Sequence, residues 1–87
     1  MTAWVVVLTK RAGKNLKKLP KEIIEIMDQF RRDLETEGPT PNGWIVKHVQ
    51  GSPECFSARL KREYRVIYEV IAPTIIVISV SHRKESY

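Results

Sequence analysis

The chain has 87 residues, a length that fits one domain with a modest core, in which roughly 60–70% of the unfolded surface is buried. Fifteen Lys and Arg against ten Asp and Glu give a net charge of +5 and an isoelectric point of about 9.6, which draws such a domain toward polyanions or an acidic protein. No run approaches the ~20 apolar residues that span a bilayer, the N-terminus lacks a signal-peptide pattern, the lone Cys55 has no partner for an internal disulfide, and one Cys with two His supplies too few soft ligands for zinc. The expectation is therefore a cytoplasmic protein without metal or cofactor, occupying residues 1–87 as a single domain.

Residues 3–8 form a short apolar, β-branched run. It is too short for a stable helix and reads as a well-covered strand. Thr9 is placed to cap a helix over residues 9–18, in which Ala12, Leu16 and Leu19 make a narrow apolar stripe. Lys10, Arg11, Lys14, Lys17 and Lys18 cover its other faces, either as a solvated surface or as a basic face for RNA or an acidic partner. Pro20 ends this helix and suits the first turn of the next, where Glu22 complements the helix dipole. Ile23, Met27, Phe30 and Leu34 then repeat at spacings of four, three and four, and Ile24 and Ile26 widen the stripe, so an amphipathic helix is predicted to about Glu37.

Residues 38–43, rich in Gly and Pro, make a loop within the domain. Residues 44–49 alternate as a half-exposed strand, and residues 50–53 read as a turn. In the strand predicted for residues 55–61, Phe56, Ala58 and Leu60 share one face while Ser57, Arg59 and Lys61 share the other. A tight turn at Arg62 and Glu63 leads to a strand at 64–70, in which Tyr64 and Tyr68 share a face and belong to the core. Residues 71–73 turn again, and residues 74–80 are the most apolar strand, suited to the middle of a covered sheet. The tail from Ser81 to Tyr87 is polar. Strand, helix, helix and then three or four closely spaced strands define an α+β domain, β-α-α-β-β-β(-β), with the N-terminal helical hairpin packed on an antiparallel sheet.

Several stretches carry a resemblance. Leu16-Lys17-Lys18-Leu19-Pro20, the turn with Trp44, the block Arg59-Leu60 with Tyr64-Arg65-Val66-Ile67-Tyr68, and the closing His82-Arg83-Lys84-Glu85-Ser86-Tyr87 together resemble the RelE/ParE superfamily of toxins from type II toxin–antitoxin systems. The likeness covers essentially the whole chain, and the two C-terminal motifs are closer to the RelE-like branch than to the gyrase-poisoning ParE-like branch. The resemblance implies a microbial RNase-like fold, ribosome-dependent cleavage of mRNA and neutralisation by a cognate antitoxin. Operator DNA would be reached only through the toxin–antitoxin complex. Matched by motif, the working surface falls on Arg59, Arg65, Arg83 and Tyr87; Ser57 departs from the family, where RelE-type toxins can carry a lysine.

Cleavage by a ribose 2′-hydroxyl requires deprotonation of that hydroxyl, stabilisation of charge at phosphorus and protonation of the leaving 5′-oxygen. Arg59, Arg65 and Arg83 suit the second task, since guanidinium offers forked donors to phosphate oxygens but stays protonated. Tyr87, His82 and Lys61 are the candidates for proton transfer, and Tyr87 is equally a stacking platform for a base. Arg59, Lys61, Arg62 and Lys84 are the candidate RNA-binding cations. Two other readings stand beside the nuclease: a ParE-like gyrase inhibitor, and an inactive member that binds antitoxin and operator DNA.

Overall fold

The computed structural model describes residues 4–82. Its elements are β1 (Val5–Leu8), α1 (Lys10–Lys17), α2 (Lys21–Glu37), β2 (Val46–Val49), β3 (Ser52–Leu60), β4 (Tyr64–Ile71) and β5 (Thr74–His82). The strands form one five-stranded sheet in the order β1-β5-β4-β3-β2. The β2–β3, β3–β4 and β4–β5 pairs are antiparallel, as short connections dictate. β1 joins β5 in parallel, because the helical hairpin carries the chain back before the rest of the sheet is laid down.

Both helices lie on one face of the sheet. Ala12 of α1 and Ile23, Met27, Phe30 and Leu34 of α2 bury against Ala58, Leu60, Val66, Tyr68, Ile75, Val77 and Val80. The 3.6-residue period of α2 meets the two-residue period of the strands, so each element contributes one face only. Ile26 packs against this core, whereas Ile24 stays 39% exposed and lies outside the stripe. Phe30 sits edge-on to Trp44 at 4.8 Å and to Tyr68 at 5.8 Å between ring centroids. Trp44 Nε1 donates to Asp33 Oδ2 at 2.7 Å, and the buried Tyr68 hydroxyl donates to the Pro39 carbonyl. These two bonds tie the loop after α2 to the core. Gly38 there has φ +94°, and a Cβ would stand 2.9 Å from Trp4 Nε1, so both the backbone and the space call for glycine.

β5 carries the decisive local feature. Its pairing with β4 shifts between Ile67 and Tyr68: Ile67 is opposite Ser79 but Tyr68 is opposite Val77, which leaves Ile78 as an extra residue. This β-bulge resets the alternation. Ile75 and Val77 face the core before it, and Val80 faces the core after it. Thr9 holds the bulge. Its amide donates to the Val77 carbonyl at 3.0 Å and its hydroxyl donates to the Ile78 carbonyl at 2.8 Å. The same hydroxyl oxygen accepts from the Ala12 amide at 3.1 Å, so Thr9 also caps α1. Further along, the Val80 amide donates to Asn15 Oδ1 at 3.0 Å. Beyond the end of β1, α1 thus replaces a neighbouring strand along the edge of β5.

Four expectations need correction. The apolar run at the N-terminus is not well covered: β1 is an edge strand, with Val5 54%, Val7 40% and Leu8 43% exposed. Ser52 and Pro53 belong to β3 and not to a turn, and β5 runs on through Ser81 to His82. Lys61 does not continue the strand face of Arg59. It has φ +58° in the three-residue turn before Tyr64, and its Nζ pairs with Glu22 at the start of α2.

Thr9→Ala should cost about 1–2 kcal/mol by removing a helix cap and a tertiary hydrogen bond together. Thr9→Ser, which retains the hydroxyl, should lose less than half as much. Urea unfolding followed by circular dichroism checks both.

Candidate RNA-binding face

The face of the sheet opposite the helices is covered by no described element. Strand alternation places Cys55, Ser57 and Arg59 of β3 there, with Arg65, Ile67 and Glu69 of β4 and, after the bulge, Ser79 and Ser81 of β5. Arg59 and Arg65 are directly opposed across the β3–β4 pair. The next row sets Lys47 of β2 against Ser57, then Ile67 and Ser79. Arg65 is itself opposite Ser81. Ile45, Lys47, Ser57, Arg59, Arg65 and Ile67 line a shallow depression of about 400 Å³ on this surface.

Two guanidinium groups directly opposite on one sheet face repel each other, an arrangement that costs stability unless an anion offsets it. The depression therefore has the chemistry of a phosphate site: forked donors from two strands, a lysine one row away, small hydroxyls beside them, and an apolar floor from Ile67. Arg65 is half-buried while Arg59 is exposed.

The structure brings only part of the sequence-derived set together. Arg59 and Arg65 share the open face. His82 is opposite Tyr64, with their rings edge to face at 5.2 Å, on the side that carries the helices; its Nε2 lies 3.5 Å from Glu63 Oε2. The bulge explains this, because without the extra Ile78 the alternation would turn His82 to the face of Arg65. Lys61, with Arg62 and Glu63, lines a separate concavity of about 670 Å³ against Pro20, Glu22, Ile23 and Tyr64. Arg83, Lys84 and Tyr87 lie outside the described residues. Lys47 lines the same depression as the arginines and is not among the candidates read from the sequence. Its signal was present in the alternation of residues 44–49, but its row depends on the β2–β3 register.

The other end of the open face is acidic. Glu54, Cys55 and Glu69 bring their ligand atoms within 4.8 Å of one another. Burial, then the charges of Glu69 and Glu54, push the Cys55 thiol above its ordinary pKa, so it is a poor nucleophile at neutral pH. The face is thus polarised from a basic to an acidic end.

A small α+β domain with a helical hairpin on one side of a five-stranded sheet is the architecture this chain shares with solved RelE toxins. The chain belongs to the ParE toxin family of type II toxin–antitoxin systems, whose family model matches residues 6–87. Solved structures extend the comparison. The archaeal RelE–RelB complex from Pyrococcus horikoshii is similar with a TM-score of 0.81 and 30% identity, over 99% of this chain and 100% of that one. The RelBE2 toxin–antitoxin complex from Mycobacterium tuberculosis is similar with a TM-score of 0.74 and 28% identity, over 93% and 99%. A doubly arginine-substituted RelE toxin from Escherichia coli in the free state is similar with a TM-score of 0.78 and 26% identity, over 97% and 87%. A comparison with curated proteins finds no match. The RelE/ParE resemblance read from the sequence and the α+β fold are both borne out.

Inorganic phosphate or sulfate should raise the stability of the protein by about 1 kcal/mol once the anion stands a few-fold above its Kd. Arg59→Ala and Arg65→Ala should fold normally and lose most of that gain. Thermal melts with chloride matched for ionic strength isolate the specific effect.

Proposed function

We propose that this chain is the toxin of a type II toxin–antitoxin pair and that it cleaves mRNA on the ribosome with its open sheet face. The observation that carries the reading is the directly opposed Arg59–Arg65 pair on a face that no described element covers. The RelE structures similar to this chain at 26–30% identity support the choice of activity. Two of them are toxin–antitoxin complexes, which supports a cognate antitoxin as the neutralising partner. Operator DNA is then reached only through that complex.

In this mechanism the substrate strand runs across the open face with its scissile phosphate between Arg59 and Arg65. The ribose 2′-oxygen loses its proton and forms a bond to phosphorus, the bond from phosphorus to the 5′-oxygen breaks, and that oxygen takes up a proton. A cyclic 2′,3′-phosphate and a 5′-hydroxyl result. Arg59 and Arg65 offset the charge that builds on the phosphorane oxygens. Lys47, one row away, adds positive potential. Arg83 and Tyr87 are proposed from the family motif for charge stabilisation and for proton transfer or base stacking. His82 takes part only if the substrate reaches round the end of the sheet to its helical side. Among the described residues few acid–base groups stand beside the arginines, so the ribosome is assigned the task of completing and positioning the reacting groups.

A second reading has its own support, since the family model that matches the chain is that of ParE. In that reading the toxin inhibits DNA gyrase and does no chemistry on RNA.

Expression from a tight promoter, followed by mapping of new mRNA 5′ ends, separates the two. Cuts confined to translated frames are expected, and Arg65→Ala should reduce them at least ~100-fold, the order seen on removing one oxyanion-stabilising donor. Arrest with intact mRNA and gyrase-linked DNA breaks would replace the nuclease by the inhibitor.

A further inference from the structure

We propose that α1 is a second RNA-binding surface, which grips the phosphate backbone of a structured RNA independently of the arginine pair on the sheet. The charge of the chain is distributed asymmetrically. Lys10, Arg11, Lys14, Lys17, Lys18 and Lys21 are six of the fifteen cations, and no Asp or Glu occurs between them. The rest of the chain holds nine Lys and Arg against ten Asp and Glu, so it is slightly acidic. The net positive charge of the protein therefore resides on α1 and its flanks.

All six side chains are exposed, and among the described residues none forms an ion pair with a carboxylate. Beyond Lys21, α2 is built in the opposite way. Arg31 pairs with Asp28 at 2.9 Å and with Glu35 at 3.4 Å, and Arg32 pairs with Asp28 at 2.9 Å, so its basic groups are neutralised on its own surface.

The placement of the first-turn cations works against the helix, whereas Lys14 and Lys17 in the last turn complement its dipole. Its first turn has no acidic residue, and Lys10 and Arg11 stand where the dipole disfavours positive charge. Lys10–Lys14, Lys14–Lys17 and Lys14–Lys18 are like-charge pairs at spacings of three or four, each unfavourable by roughly 0.2–0.5 kcal/mol. α1 is held in spite of this by Thr9 and Asn15, which bond the edge of β5 and turn the lysines outward. Six cations gathered on one short segment, two of them against the dipole and none paired with a carboxylate among the described residues, point to a ligand of opposite charge.

The chemistry of the surface selects nucleic acid over a folded protein. The apolar residues of this segment, Ala12, Leu16 and Leu19, are turned into the core, which leaves the outer face of α1 cationic without an apolar anchor. Protein interfaces are organised around buried apolar and aromatic anchors, whereas a phosphate backbone is bound by point charges such as lysine. α1 lies on the helical side of the sheet and Arg59 and Arg65 on the other, so one extended strand does not serve both surfaces. The domain would sit between its substrate strand and a second, structured RNA. That RNA is ribosomal if the nuclease reading holds, and only its identity rests on that reading.

The test compares wild-type protein with Lys14→Gln/Lys17→Gln/Lys18→Gln and with Arg59→Ala/Arg65→Ala. Each is bound to protein-free ribosomal RNA and to intact ribosomes over a range of salt. The triple variant should bind ribosomal RNA at least ~10-fold more weakly, and its slope of log K against log salt should fall by about 2, as expected for lost phosphate contacts. Its melting temperature should stay close to that of the wild type, because the repulsive pairs removed offset the lost dipole complement of Lys14 and Lys17 and glutamine keeps the helix propensity. The arginine variant should retain most of the ribosomal RNA affinity while losing cleavage. Unchanged affinity and slope in the triple variant would overturn the proposal, as would weakened binding of the cognate antitoxin with RNA binding intact. If wild-type protein cuts no mRNA but the triple variant still loses RNA affinity, the nuclease reading falls and the α1 surface stands.

Discussion

The hydroxyl of Thr9 is the smallest group on which the architecture depends. It donates to the carbonyl of the bulged Ile78 and accepts from the amide of Ala12, so one oxygen fixes both the start of α1 and the irregularity in β5. The bulge then decides which side chains of the last strand face inward. Val80 continues the core set by Ile75 and Val77, and Ser79 and Ser81 come to stand beside Ile67 and Arg65 on the opposite face. A regular strand would drive the two serines into the core and Val80 into solvent. The basic depression exists in its observed form because the alternation is broken at one residue.

The remaining stability comes from the helical side. Phe30, Trp44 and Tyr68 make an aromatic centre whose polar atoms are all directed to partners: the indole to Asp33 and the phenol to the Pro39 carbonyl. Burial pushes the Tyr68 hydroxyl far above its ordinary pKa, which keeps it a neutral donor throughout the physiological range. The loop after α2 is pinned by these bonds and by the close approach of Gly38 to Trp4, and Trp44 beyond it leads directly into β2. The far edge of the sheet, with Lys47, is thereby fixed relative to the arginines. On the outside of α2, the hydrogen bond from Arg31 holds the Asp28 carboxyl below the usual carboxylate range against the opposing effect of burial, and the charge of Arg32 adds to it.

Much of this was legible in the sequence, and the failures have physical causes. The α2 stripe of Ile23, Met27, Phe30 and Leu34 is dictated by a strong period, and so is the inward face of Ala58 and Leu60. The N-terminal apolar run misled because composition does not distinguish a central strand from a short edge strand; a four-residue edge can stay apolar with little free backbone to expose. No Gly or Pro marks the bulge at Ile78, since its signal is a hydrogen bond to Thr9 some seventy positions earlier in the chain. The face of His82 follows from that bulge and was equally hidden. Lys61 departs from its strand because the hairpin takes a left-handed residue there, although lysine has no preference for that conformation. The grouping of Glu54 and Cys55 with Glu69 is a product of register, which spacing along one strand does not reveal.

The two sides of the sheet divide stability from binding. Nearly all apolar burial lies between sheet and helices, so the opposite face is free to carry charges that do not help the fold. A directly opposed arginine pair is tolerable there because Arg59 is exposed to water, which screens the two charges. The same logic governs α1, whose inner side is tied to the β5 edge by Thr9 and Asn15 and whose outer side carries cations that pair with no carboxylate among the described residues. In both places the sequence concentrates repulsion at a surface whose scaffold is over-determined from behind. A polyanion would relieve that repulsion with little rearrangement of the backbone, because the strands and the capped helix already hold the charges in place.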